Sequence, residues 1–297
     1  MLVRRVYRSF LGVLPDIAQR PVQRAARKLY RAIHWPFERR KRLRFAMAYI
    51  QPQIDLAKSW AKSHSENSNF LYALTPISRL NLAHTLAATF NVSLDKVRRL
   101  FAEIEEDSVF QNHIEQGLKR VIPGASSFSI GRRLGWYVTC RLLKPRTVVE
   151  TGVDYGLGSC VICAALLRNA TEGHPGKYFG TDIRNEAGEL LSSPYSAVGR
   201  ILYGDSLKSL AALSEPIDVF INDSDHAPDY EAKEYELIKS KLSPAGVILS
   251  DNSHCSPSLA NFSEQNGRRF IFFKEEPSQH WYPGAGIGFS FIERNDP

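Results

Sequence analysis

Thr147-Val-Val-Glu-Thr-Gly-Val-Asp-Tyr-Gly-Leu-Gly-Ser159 decides the fold of this 297-residue chain. An apolar run over 147–150 ends in the carboxylate of Glu150, passes a glycine-punctuated turn and enters an apolar helical pattern. Strand, tight turn and helix in that order form the first half of a βαβ unit. The glycines Gly152, Gly156 and Gly158 follow G-x-x-x-G-x-G, not the G-x-G-x-x-G of dinucleotide-binding folds. Glycine serves where the backbone turns with positive φ, or where a ligand must lie against the main chain. A pyrophosphate would want the dinucleotide spacing, while a nucleoside without phosphates tolerates this one. Glu150 at the strand end favours a cationic ligand over an anionic one.

Working outward, further strands are expected at 178–181, 200–203, 217–222, 247–250, 269–273 and 286–292, with helical patterns filling the first five intervals. That alternation predicts an α/β fold with a doubly wound, mostly parallel, seven-stranded sheet. The last two runs are joined by a Pro/Gly-bearing stretch with no room for a crossover helix, so they should pair antiparallel. In such sheets ligands bind beyond the carboxyl ends of the parallel strands. The second run ends in Asp182, where ribose hydroxyls would sit, and the third in Gly204-Asp205, a contact for adenine. The fourth reads Asp218-Val-Phe-Ile-Asn-Asp-Ser-Asp-His226, and the fifth ends in Asp251-Asn252. Two adjacent strands ending in oxygen ligands point to a hard cation. Without one, two carboxylates ~4 Å apart repel by roughly 4 kcal/mol at an effective dielectric near 20. A positive side chain or a shared proton would then have to relieve the strain.

Before residue 126 the texture differs. Residues 1–45 hold 13 Lys/Arg and two acidic residues, a net +11, and the remainder carries −4, so the sequence pI of about 9.2 comes from a basic arm. Leu2, Val6, Phe10, Val13 and Leu14 recur at helical spacing between arginines, a pattern that suits an amphipathic helix on an anionic membrane face and equally a solvated basic tail. No nucleic-acid reading module follows the arm, which argues against that partner. No run approaches a membrane span and no signal-peptide core precedes the arginines, so the expected location is cytoplasmic, with peripheral contact at the inner membrane face. Residues 46–125 read as a helical region: Leu82, Leu86 and Phe90 make one stripe, and Ser93 is the expected N-cap of the next helix. Cys160 and Cys163 have a zinc-knuckle spacing but no second pair, and read as buried helix packing. Three segments follow: an arm (1–45), a helical region (46–125) and a catalytic domain (126–297).

Glu-x-Gly-x-x-x-Gly-x-Gly, then an acidic residue after strand two and Gly-Asp after strand three, resembles the class I S-adenosylmethionine-dependent methyltransferases. Asp223-x-x-His226 and Asp251-Asn252 narrow the resemblance to the metal-dependent O-methyltransferases of the catechol/caffeoyl-coenzyme A type and of the macrolide-sugar and cephalosporin-biosynthesis type. The resemblance covers roughly 130–297. It implies S-adenosylmethionine bound by Glu150, Gly152, Gly156, Gly158, Ser159, Asp182 and Asp205. It also implies Mg²⁺ or another divalent cation on Asp223, Asp251 and Asn252. His226 falls where the catechol type carries a lysine and the sugar-modifying type a histidine, which favours a sugar or polyketide-sugar hydroxyl over a catechol, within an acceptor class of small molecules or glycans.

A cation would lower the pKa of that hydroxyl, and His226 would take its proton as general base. Asp225 is left between orienting the ring and joining the metal. A metal-free reaction with His226 as the base is the first alternative. A nicotinamide-dependent oxidoreductase on a similar sheet is the second, and a silent scaffold the third. His280 and Trp281 belong to a connection that either walls the acceptor site or plugs a loop, with His254 of the same rank. Arg132, Arg133 and Trp136, just before strand one, either line the same pocket or cap the sheet, and packing is the preferred reading.

Overall fold

The computed structural model describes residues 16–62, 71–122 and 128–293. The apolar positions of the arm between Leu2 and Leu14, and the break expected at 123–127, lie outside them. Nine α-helices and seven strands are present among the described residues, and the chain divides into two compact units at Lys58/Ser59.

The first unit consists of most of α1 (Asp16–Trp60), a 45-residue helix with Pro21, Pro36 and Pro52 inside it. Leu29, Tyr30, Ile33, Trp35, Phe37, Leu43, Phe45 and Tyr49 on it are all exposed. No helix among the described residues is long and apolar enough to cross a membrane.

The second unit opens with α2 (Pro76–Phe90), α3 (Leu94–Glu105) and α4 (Ser108–Val121). Each starts on a side-chain cap: the oxygens of Thr75, Ser93 and Asp107 accept from Ser78 N, Lys96 N, and Val109 N with Phe110 N respectively. Such caps are worth about 1 kcal/mol each. After α5 (Leu134–Leu143) come β1 (Thr147–Thr151), α6 (Leu157–Thr171), β2 (Lys177–Asp182), β3 (Gly199–Tyr203), α7 (Ser206–Ala212), β4 (Ile217–Asn222), α8 (Pro228–Lys239), β5 (Leu242–Ser250), α9 (Ser258–Gln265), β6 (Arg269–Lys274) and β7 (Gly286–Phe291).

The seven strands form one sheet in the order β3-β2-β1-β4-β5-β7-β6. The first five are mutually parallel, and β7 lies antiparallel between β5 and β6. The expected α/β doubly wound sheet is therefore present. One interval departs from expectation: β2 and β3 are joined by turns and a single 3-10 turn, Tyr195–Ala197, with no α-helix. Glu186 to Glu189 brings Gly188 back against the glycine loop, where Gly188 N donates to Asp154 O. That return occupies the chain length a helix would need.

Alternate strand residues feed opposite layers, as the two-residue strand period requires. Val148, Val219, Leu249 and Phe289 pack beneath α2–α6, while Val149, Phe220 and Ile248 pack beneath α7–α9. Cys160 and Cys163 are buried in the first layer, where burial pushes both thiols up, and their role is packing. The strand ends are left to the cavity between the layers.

Candidate active site

A cavity of about 720 Å³ opens over the carboxyl ends of β1, β2, β3, β4 and β5. Small-ligand sites run from ~300 to 1,000 Å³, so there is room for a cofactor together with an acceptor. Glu150, Gly152, Gly158, Asp182, Asp205, Asp223, His226 and Asp251 all line it. Three expected site residues, Gly156, Ser159 and Asn252, are absent from the lining.

The glycine loop is tightly constrained. Gly152 has φ +83°, and a Cβ there would lie 1.9 Å from Asp223 O, so the turn after β1 can pass β4 only without a side chain. Gly156 has φ +90° and precedes the first turn of α6. Asp182 fastens this loop to the next one. Its Oδ2 accepts from Val153 N and Asp154 N at 3.1 and 3.0 Å, and its Oδ1 from Arg184 N at 2.9 Å. Asp205 accepts from Leu207 N and from the Tyr230 hydroxyl, each at 2.9 Å, capping α7 at the cavity rim. Asp182 Oδ1 and Asp205 Oδ2 retain lone pairs for a ligand.

Glu150 is 1% exposed. The Tyr178 hydroxyl donates to its Oε2, as does Ser159 Oγ at 3.3 Å, so Ser159 supports Glu150 from behind. Burial pushes the Glu150 carboxyl up to about 7, against the opposing pull of these donors and of Arg133. Thr181 Oγ1, buried at the end of β2 and lining the cavity, has no hydrogen-bond partner among the described residues. A carboxyl poised between its two states, an orphaned hydroxyl and a side-chain-free turn together fit a cationic nucleoside cofactor.

Beneath this floor two glutamates of α8 hold the strand ends. Glu234 accepts from Thr151 Oγ1 at 3.0 Å, Ser224 Oγ at 2.9 Å, Asn222 Nδ2 and Ser206 Oγ, joining β1, β4 and α7. Glu231 accepts from Tyr235 and from Ser250 Oγ at 3.0 Å, anchoring β5. The sequence reading missed both. Two glutamates three residues apart beside Tyr235 and Ile238 were the available signal.

At the other end of the cavity lies a buried ionic cluster. Arg132 Nε donates to Asp251 Oδ1, and Arg132 Nη1 donates to Tyr72 Oη at 2.8 Å and to Glu275 Oε1 at 3.2 Å. Arg132 and Asp251 are 3% and 4% exposed. Tyr72 and Glu275 meet because 71–78 runs beside 275–278: Thr75 N donates to Glu276 O, and Ser278 N to Ala73 O. Burial and the negative Asp251 push Asp223 well above the usual carboxyl range. Burial alone would raise Asp251 too, but the Arg132 charge and a hydrogen bond from Asp223 bring it below that range. For Arg132 and Arg133 the sequence favours packing over a place in the pocket wall. They line the cavity instead, because the 3-10 turn Gly131–Arg133 carries them to the end of β5.

His226 is exposed at the mouth of the cavity, 4.0 Å from Cys255 Sγ through Nδ1, with its ring centroid 6.4 Å from that of His254. Asp225 turns to accept from Ala227 N at 2.9 Å at the entry to α8. In the 279–288 connection it is Tyr282 that reaches the cavity, with His254 beside it. His280 packs 5.2 Å from Tyr72, and Trp281 packs 5.3 Å from Trp60.

The divalent cation expected from the sequence does not fit this arrangement. Asp251 Oδ1 already carries a guanidinium, and the negative Asp251 adds to burial in raising Asp223. Asn252 gives its amide to Asn222 Oδ1 at 3.2 Å and does not line the cavity, and its own Oδ1 is buried with no hydrogen-bond partner among the described residues. Among the described residues no group of three or more His, Cys, Asp or Glu side chains could hold a metal. A divalent ion ~4 Å from Arg132 would face about 8 kcal/mol of repulsion at an effective dielectric near 20.

Residues 149–253 match the family model described as a methyltransferase domain. Among solved structures the chain is similar to the S-adenosylhomocysteine-bound methyltransferase PaMTH1 of Podospora anserina, at 17% identity over 67% of this chain and 96% of that one, TM-score 0.46. It is also similar to the O-methyltransferase TomG of Streptomyces achromogenes, involved in tomaymycin synthesis and solved with S-adenosylmethionine, at 14% identity, 65% and 93% coverage, TM-score 0.45. A Bacillus cereus O-methyltransferase bound to S-adenosylhomocysteine is similar at 13% identity, 66% and 100% coverage, TM-score 0.45. No curated protein matches the chain. The likeness to a methyltransferase domain thus runs from β1 to just past the end of β5.

Proposed function

We propose that this cavity transfers a methyl group from S-adenosylmethionine to a hydroxyl oxygen of a small molecule or glycan, with His226 as general base and without a divalent metal. When bound, S-adenosylmethionine supplies a methyl group activated by a sulfonium. The residues that would hold it are Glu150, Gly152, Gly158, Thr181, Asp182 and Asp205. Glu150, poised near neutrality, ionises against a cationic ligand, and Gly152 and Gly158 leave the backbone open to it. Asp182 and Asp205 offer their remaining lone pairs to ribose and base.

The observation that carries the reading is that His226 and Glu150 line one cavity, beyond the ends of the paired strands β4 and β1. An aliphatic hydroxyl is a poor nucleophile near neutral pH. A neutral imidazole within hydrogen-bond reach can take its proton as the new bond to carbon forms. His226 is open enough to return that proton to solvent. The metal-assisted version expected from the sequence lacks support of this kind, since the charge on Asp251 is already met by Arg132. Adding S-adenosylmethionine should raise the melting temperature, and calorimetry should give one site per chain. Absence of binding to folded protein would overturn the reading.

A peripheral membrane contact through the N-terminal arm belongs to the same proposal. On α1, Leu29, Tyr30, Ile33 and Phe37 recur at one-helix-face spacing and are 54–67% exposed, with Arg24, Lys28 and Arg31 on the opposite face. That division suits a helix lying in an anionic headgroup layer. Sedimentation with phosphatidylserine-containing vesicles, but not with phosphatidylcholine vesicles, is the expected result. Equal partitioning with both would contradict it.

A further inference from the structure

We propose that Arg132 is the built-in cation of the acceptor site: its guanidinium takes the place on Asp251 that a divalent ion would take, and it positions that carboxylate beside Asp223. The inference rests on the reading of the cavity as a methyl-transfer site for its meaning, but its geometry stands independently.

Four observations carry it. Arg132 is 3% exposed, yet three of its directions are satisfied by oxygen: Asp251 Oδ1, Tyr72 Oη at 2.8 Å and Glu275 Oε1 at 3.2 Å. The anchors come from three distant parts of the chain, so the guanidinium is held from several sides. Its backbone is equally fixed. Gly131 has φ +52°, and a Cβ there would lie 2.9 Å from Tyr72 O, which ties the turn carrying Arg132 to the segment carrying Tyr72. Glu275 is locked in turn by Ala285 N, which donates to its Oε1 at 2.8 Å.

A planar guanidinium makes directional hydrogen bonds that a metal ion does not require. It orients Asp251 through Nε while Nη1 spans Tyr72 and Glu275. Arg132 is thus a positioning residue, acting on the acceptor through Asp251. A divalent ion could reach Asp251 only beside the guanidinium that Nε already holds against Oδ1, where the two positive charges repel. Exclusion of metal follows from this geometry.

The test uses Mn²⁺ alone, titrated into the full-length protein and followed by the electron paramagnetic resonance signal of the free ion. The wild type should leave Mn²⁺ free, as should Arg132→Lys, which keeps the charge. Arg132→Met, which vacates Asp251, should bind Mn²⁺ at least about tenfold more tightly than the wild type, and Asp251→Asn in that background should abolish the gain. One Mn²⁺ bound to the wild type and lost in Asp251→Asn would overturn the proposal, and the wild-type measurement decides this even if Arg132→Met does not fold. A folded Arg132→Met with no gain would overturn it as well. S-adenosylmethionine titrated into the same samples reports separately on the cofactor seat, so failure of the methyl-transfer reading stays distinguishable.

Discussion

Arg132 and Asp251 lie 119 residues apart in sequence and form a buried ion pair at the end of β5, their side chains 4% and 5% exposed. Residues before the first strand thereby set the charge of a site otherwise built from the carboxyl ends of strands. Removing one partner of such a pair leaves the other charge buried and uncompensated, a loss of about 3–5 kcal/mol. Arg132→Ala should lower the urea midpoint accordingly. Arg132→Lys, which keeps a charge but not the planar fork, should fall between it and the wild type. A variant as stable as wild type would mean that Asp251 and Glu275 are neutral in the fold.

Glu150 makes stability depend on pH. Its carboxyl rises from 4.5 to about 7 on folding, chiefly by burial, so between those values the folded protein holds a proton that the unfolded chain has released. Stability from this group is therefore greatest below 4.5 and declines as pH rises through about 7, by up to about 3 kcal/mol at 1.36 kcal/mol per unit. Urea titrations at pH 5 and pH 8 should show the decline. Glu150→Gln should remove that part of it, and saturating S-adenosylmethionine should shrink it by favouring the ionised form. Parallel pH profiles for wild type and Glu150→Gln would contradict the assignment.

Tyr178→Phe tests the support under Glu150. The phenol donates to the buried carboxyl, and losing such a donor leaves the acceptor short of a partner at a cost of about 1–3 kcal/mol. The variant should be less stable than wild type above pH 7 by more than it is at pH 5, because the ionised carboxylate depends on the donor most.

Gly152→Ala tests the turn. The new Cβ would sit 1.9 Å from Asp223 O, at a backbone φ of +83°. Strain of this kind costs on the order of 1–3 kcal/mol before the clash is counted. Because relief must move the β1 turn away from β4, S-adenosylmethionine affinity should fall at least about tenfold. Unchanged affinity by calorimetry would show that the turn does not shape the cofactor seat.

Much of this was legible in the chain because it is local. Strand, glycine turn and helix from Thr147 to Ser159 carry their own pattern, and each parallel strand ends in polar residues that can face only a ligand or solvent. The antiparallel β6–β7 pair followed from a connection too short for a crossover. What stayed hidden depends on residues brought together across long separations: Tyr72 with Glu275, 203 residues apart, and Arg132 with Asp251. An arginine beside a tryptophan just before a strand looks like packing until its partner is known. Asp223, Asp251 and Asn252 could equally have meant a metal, because sequence places carboxylates at strand ends without revealing which cation meets them. The long return between β2 and β3 was misread as helical because its apolar residues seat the glycine loop instead.

The most direct test of methyl transfer to a hydroxyl is incubation of the full-length protein with methyl-tritiated S-adenosylmethionine and a small-molecule extract of the source cells. It should be run with and without EDTA, beside His226→Ala. Label should appear in a non-protein acceptor as a methyl ether, undiminished by EDTA. His226→Ala should reduce the rate by about 10²–10⁴-fold, as loss of a general base does, while its S-adenosylmethionine affinity stays near that of the wild type. Label on nitrogen or carbon, a reaction abolished by EDTA, or equal rates in wild type and His226→Ala would contradict it.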